Sequence, residues 1–132
     1  MNIAILHYSV PPIVGGVESV IGHHARLMSA NGHSVRLIAA RGAAMSAEIP
    51  LMQIPLADSR YERITLIKQE LDKGIVPANF VSLRDELANE IKKALTGVDL
   101  LIAHNVCSLN KNLALTAALH KLHQANQLPR LI

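Results

Sequence analysis

Two short stretches of this chain hold residue types suited to chemistry. The first is Gly15-Gly16-Val17-Glu18. Adjacent glycines at the start of an apolar-periodic segment leave bare backbone N–H groups, and at a helix N-terminus those amides and the helix dipole favour an anion. The same pair would equally serve a tight turn, and residue type alone does not separate the two roles. Glu18 falls in the first helical turn, where it either caps the helix and matches its dipole or faces a substrate as an acid. The second stretch is His104-Asn105, at the end of an apolar run. A histidine placed there can donate to a hydroxyl or stabilise developing charge, against the competing role of a satisfied buried histidine.

The other reactive side chains form no recognisable constellation. His120 and His123 stand three apart, but no third histidine or carboxylate accompanies them and H-E-x-x-H is absent, so no metal site is expected. His23 and His24 are adjacent and face different directions on a helix, with His24 on the apolar stripe. Cys107, the only cysteine, has no neighbour in sequence that would activate a thiolate and reads as packing. There is no G-x-S-x-G elbow, no G-x-G-x-x-G, no Gly-Lys-Ser/Thr phosphate loop, and no acidic pair after the first strand.

The elements that must position these residues alternate strand and helix. Asn2 to Tyr8 is an apolar run ahead of Pro11-Pro12, with the character of a central parallel strand. Val17, Val20, Ile21, His24, Leu27 and Met28 recur at helical spacing up to Asn31-Gly32, and Ser34 to Ala39 forms a second strand. Leu51 to Ile54, bracketed by Pro50 and Pro55, reads as a short edge strand. Helices are expected over 59–73, from a cap at Ser82 to Gly97, and over 111–127; strands over 99–104 and from Arg130 onward. The pattern predicts an α/β fold with a parallel sheet and flanking helices, in which ligands collect beyond the carboxyl ends of the strands. Both chemical stretches fall at such ends.

Composition narrows the partners. Half of the 132 residues are apolar and only Tyr8, Tyr61 and Phe80 are aromatic, which excludes disorder and gives no stacking platform for single-stranded nucleic acid. The net charge of +3 is uneven: residues 1–47 carry Arg26, Arg36 and Arg41 against Glu18 alone, 48–99 are net acidic, and 100–132 hold Lys111, Lys121 and Arg130 with no acid. Basic segments gathered at one end of the sheet would suit a phosphate better than a nucleic-acid track, although ordinary solvated charge explains the same numbers. The helix over 59–73 balances its bases with acids and gives no support to peripheral membrane contact. A single cysteine and no signal-like leader fit a reducing cytoplasm, the expected compartment.

Pro11-Pro12-x-x-Gly15-Gly16-Val17-Glu18, with the turn Asn31-Gly32-His33-Ser34-Val35 and the strand end Asp99-Leu100-Leu101-Ile102-Ala103-His104-Asn105, resembles the N-terminal domain of glycosyltransferase family 4 enzymes. The resemblance spans most of the chain and is weak over 43–95. It implies one Rossmann-like half of a GT-B fold, with residues 1–132 as a truncated acceptor-side domain and the nucleotide-sugar-binding domain absent. It further implies metal-independent, cofactor-free, retaining transfer of a sugar from a nucleotide-sugar donor to a small-molecule or glycolipid acceptor. By position, Gly15 and Gly16 would bring amides to the donor diphosphate and His104 would contact the donor sugar as the catalytic residue, with Glu18 and Asn105 as substrate contacts. Catalysis in such a fold needs groups from both domains, so the chain alone is expected to be inactive. Nucleotide-sugar epimerases share the architecture. The alternative is a non-enzymatic α/β module that binds a phosphorylated ligand or protein through the same rim. In either case an open sheet edge would let isolated chains dimerise.

Overall fold

In the computed structural model, which describes residues 1–132, the strands are β1 (Asn2–Leu6), β2 (Ser34–Ala39), β3 (Leu51–Gln53), β4 (Leu100–Ala103) and β5 (Arg130–Leu131). The helices are α1 (Gly16–Ala30), α2 (Glu62–Leu71), α3 (Phe80–Ala94) and α4 (Leu113–Gln124). All strand pairings are parallel, in the order β3-β2-β1-β4-β5. This is a Rossmann-like α/β sheet. β1 is its centre, and it is continuously apolar because both its faces are covered. Ala4 and Leu6 enter a core shared with α2, α3 and α4, while Ile5 enters a smaller one beneath α1.

The two faces are unequal. Three helices close one side, whereas α1 alone covers the other and seals it with Ile21, Gly22 and Ala25. This shifts the apolar stripe expected of α1: Val20 and Leu27 are exposed, as is His24, because the flank they occupy lies toward β4 and no helix packs there. Leu100 and Ile102 on β4 are only half-buried, and Ile132 beside the open β5 edge is exposed.

Several helix limits differ from those the sequence suggests, each for a local reason. α2 starts at Glu62, since a 3-10 turn at Pro55–Ala57 and an Asp58 carboxylate accepting from Arg60 N occupy the approach. α3 starts earlier, after Asn79; Ser82 lies inside its first turn and donates to Asn79 O at 2.9 Å. α4 starts after Asn112, which is fully buried: its Oδ1 accepts from Leu115 N and its Nδ2 donates to Leu56 O. One side chain thus caps the helix and ties it to the 3-10 turn. At the far end Asn126, with φ 54°, takes the left-handed role that stops α4 before Gln127. Cys107 is exposed, not packed, because the turn that follows β4 carries it outward.

Pairing continues past the named ends of β1 and β2. Ser9 and Arg41 form a further parallel bridge, Val10 N donates to Arg41 O at 2.9 Å, and Ala43 N donates to Pro11 O at 3.0 Å. Gly42 makes this close approach feasible: with φ 126°, a Cβ there would stand 2.5 Å from Val10 Cγ2 and 2.6 Å from Val10 O. Gly42→Ala should therefore destabilise the chain by about 2 kcal/mol or more, read as a lowered denaturant midpoint; an unchanged midpoint would show that the two rim segments do not need this contact.

Candidate functional site

Strand order runs β1-β2-β3 in one direction and β4-β5 in the other, so the sheet reverses between β1 and β4. Such a switch point leaves a crevice at the carboxyl ends of the two strands, where ligands of open α/β sheets bind. Histidines stand at these two strand ends. His7 follows β1 and His104 follows β4, and His7 Nδ1 donates to His104 O at 2.7 Å, bridging the reversal. With Nδ1 carrying the proton, the neutral His7 ring offers Nε2 as an acceptor. The backbone reinforces the bridge, since His104 N donates to Leu6 O and His7 N to Ile38 O.

Alternation along the strands directs both rings toward the α1 side, the face that takes Ile5 and Ile102. His104 lies 5.9 Å, centroid to centroid, from His24 on the open flank of α1. Its Nε2 is buried and has no hydrogen-bond partner in the fold. Burial lowers its pKa, and the nearby His24 and His7 lower it further. His7, only 5% exposed, is lowered chiefly by burial, which outweighs its bond to the His104 carbonyl and the Glu18 charge. Both rings are therefore neutral near pH 7, and the buried His104 Nε2 is a hydrogen-bonding group that the fold leaves without a partner.

The N-terminus of α1 closes the other side. Gly15 precedes the helix and Gly16 opens it. Glu18 turns its carboxylate back over this terminus: Oε1 accepts from the buried Ser9 hydroxyl at 2.5 Å, and a Cβ on Gly15 would collide with Oε2. Burial pushes the Glu18 pKa up, but the Ser9 hydroxyl, its own backbone N–H and the charges of His7 and Arg41 together hold it below the ordinary value. The carboxylate thus serves as an internal anion at the helix start, which is the capping geometry, in a place an external anion would also favour. Gly15 has an extended backbone, φ −179°, that any residue adopts, so only the Glu18 side chain restricts that position. Gly16 is restricted by nothing: it is exposed and no atom lies within 4 Å of where its Cβ would be.

The structure thus gathers Gly15, Gly16, Glu18 and His104 on one rim. Asn105 is beside them, exposed, with φ 57° and its carbonyl accepting from Leu109 N; the turn alone accounts for an asparagine there. Sequence reasoning passed over His7, Ser9 and His24. Period-two alternation through β1 was the signal that could have found His7, since it places that ring on the face of Ile5 at the strand end. Of the basic residues, Arg41 and Lys111 reach the rim, the first pairing with Asp58 at 2.9 Å and the second lying over the Tyr8 ring at 5.8 Å. Arg36 points to the opposite end of the sheet, donating to Ala94 O and Thr96 O, and Lys121 pairs with Asp85. On the far face of the rim, the buried Tyr8 hydroxyl has no partner, and burial raises its pKa to about 12.

No three His, Cys, Asp or Glu side chains are grouped to hold a metal ion, and no helix is long and apolar enough to cross a membrane. Comparison of the chain with protein-family models, with curated proteins and with solved structures gives no match.

The histidine and Glu18 shifts have a common sign. All three groups bind a proton less readily in the folded chain, so the folded state loses stability as pH falls: below about 6.5 through His7 and His104, and further below about 4.5 through Glu18. Denaturant unfolding at pH 8, 6 and 5 should show a declining midpoint, and His7→Gln should flatten the decline between pH 7 and 5. A midpoint independent of pH across that window would contradict the neutral, buried rings.

Proposed function

We propose that this chain is the acceptor-side, Rossmann-like half of a family 4 glycosyltransferase of GT-B fold, acting on a nucleotide-sugar donor. In this reading the backbone amides at Gly15 and Gly16 receive the donor diphosphate once Glu18 swings aside, and the His104 ring contacts the donor sugar. A second domain closes the crevice and supplies the nucleotide site. Transfer retains anomeric configuration without a metal: the bond from the anomeric carbon to the diphosphate oxygen breaks as the acceptor hydroxyl oxygen bonds to that carbon, and the nucleoside diphosphate leaves with the acceptor's proton.

Gly16 carries this reading. Neither backbone conformation nor packing requires glycine there, which fits a bare backbone left open to a ligand. The buried, unpartnered Nε2 of His104 at the end of β4 supports it as well. Histidines at a switch point would serve a non-enzymatic phosphate-binding module as well. Turnover separates the two.

Two measurements test the proposal. Gly16→Ala should leave the unfolding free energy unchanged or raised by about 0.5 kcal/mol while weakening pyrophosphate binding to the chain about tenfold; equal binding would remove the phosphate role from the glycine pair. In the two-domain enzyme, His104→Ala should lower kcat about a hundredfold with little change in donor affinity. Unchanged turnover would end the catalytic assignment. Self-pairing through β5 belongs to the same proposal for the isolated chain, and a monomer by sedimentation at high concentration would count against it.

A further inference from the structure

The flank of α1 turned away from His104 holds a concavity that touches the switch-point rim only at Glu18. Two clefts, of about 250 and 290 Å3, share Pro11, Pro12 and Arg26 as walls. One extends along α1 past Gly22 and His23 toward Ser19, and the other runs under the loop at Ala44 and Met45. Arg26 stands where they join, and its guanidinium makes no ion pair or hydrogen bond, whereas most of the other arginines, Arg36, Arg41, Arg63 and Arg84 among them, have a carboxylate or carbonyl partner. The one carboxylate lining the same cleft, Glu18, is turned away onto Ser9.

A glycine of α1 packs against the wall of this space. Gly22 is a buried, mid-helix glycine with no positive φ, a position where alanine would ordinarily be favoured. A Cβ there would lie 3.2 Å from Pro11 Cγ and 3.7 Å from Arg26 Nη1, so it would tighten the floor of the cleft directly below the guanidinium. Ser19, His23 and Arg26 lie along one face at spacings of four and three, each reaching the same opening.

We propose that this double cleft binds a phosphorylated polyol. Arg26 offers a planar fork of donors suited to phosphoryl oxygens, and His23, whose ring has no partner in the fold, adds a further nitrogen. The Ser19 hydroxyl donates to Gly15 O at 2.8 Å, so its oxygen is left to accept, which suits a ligand hydroxyl. A simple carboxylate would satisfy the donors but not this acceptor. Pro11, Pro12 and Met45 cover the carbon body of the ligand. Binding here needs only this chain and goes beyond the donor-side reading.

Glycerol 3-phosphate tests the proposal, titrated into the chain by NMR with inorganic phosphate alongside. The resonances of His23 and the Arg26 side chain should move with a common dissociation constant, tighter for glycerol 3-phosphate than for phosphate. Arg26→Ala, at an exposed position that leaves the core intact, should weaken binding about tenfold or more, Arg26→Lys should weaken it less, and Gly22→Ala should weaken it while the helix is retained. Vesicles of phosphatidylglycerol, compared with phosphatidylcholine alone, show whether a lipid headgroup is the source of the polyol phosphate: Arg26-dependent binding to the anionic vesicles assigns it to lipid, and its absence to a free ligand. The proposal is overturned if Arg26→Ala binds glycerol 3-phosphate as tightly as the parent chain. It is equally overturned if the shifts centre on Gly15 and Gly16 and spare His23; that result would leave the donor-side reading standing.

Discussion

The position of β1 between β2 and β4 is the constraint on which the rest of this molecule depends. Parallel pairing on both sides fixes its register, and the bonds do not stop at Leu6: His7 N is held by Ile38 O, His104 N by Leu6 O, and Val10 N by Arg41 O. The rim beyond the strands is therefore built as an extension of the sheet. That is why His7 and His104 meet across the reversal of strand order and why the chain from Ser9 to Pro11 arrives at α1 along one path. Gly42 and the Ser9–Arg41 bridge are parts of that same constraint.

Electrostatics then decide what the rim can do. Burial keeps the His7 and His104 rings neutral, and the His7 bond to the His104 carbonyl sets which nitrogen holds its proton. Opposite them, the start of α1 satisfies itself with the Glu18 carboxylate, held by the Ser9 hydroxyl. An anionic ligand would find a site already occupied by an internal anion and would have to displace it, so the resting rim is closed by its own chain.

Much of this was legible in the residues. Mostly apolar runs at 2–8, 34–39 and 99–104 pointed to the parallel strands, because a strand covered on both faces carries few polar side chains. Gly32, Gly74 and Gly97 marked helix ends through their left-handed backbones. What was not legible depended on tertiary partners. The apolar stripe of α1 is rotated because the sheet is covered by α1 only in part, and no single-helix pattern reports what lies beneath it. α4 begins at Asn112 because Leu56 O, distant in sequence, is there to meet its side chain. The site was half visible: Gly15, Gly16, Glu18 and His104 stand at strand and helix ends where motifs are sought, whereas His7 and Ser9 gain meaning only from partners across the rim.

The central claim is that the helix start at Gly16 and the ring of His104 form one ligand-binding rim. The most direct measurement follows the Gly16 amide and the His104 imidazole together by NMR as a nucleotide sugar is added to the chain. Both resonances should move along one saturation curve, with the His104 ring still neutral at pH 7. A ring that stays unmoved while the amide saturates, or a charged ring at that pH, would contradict the account.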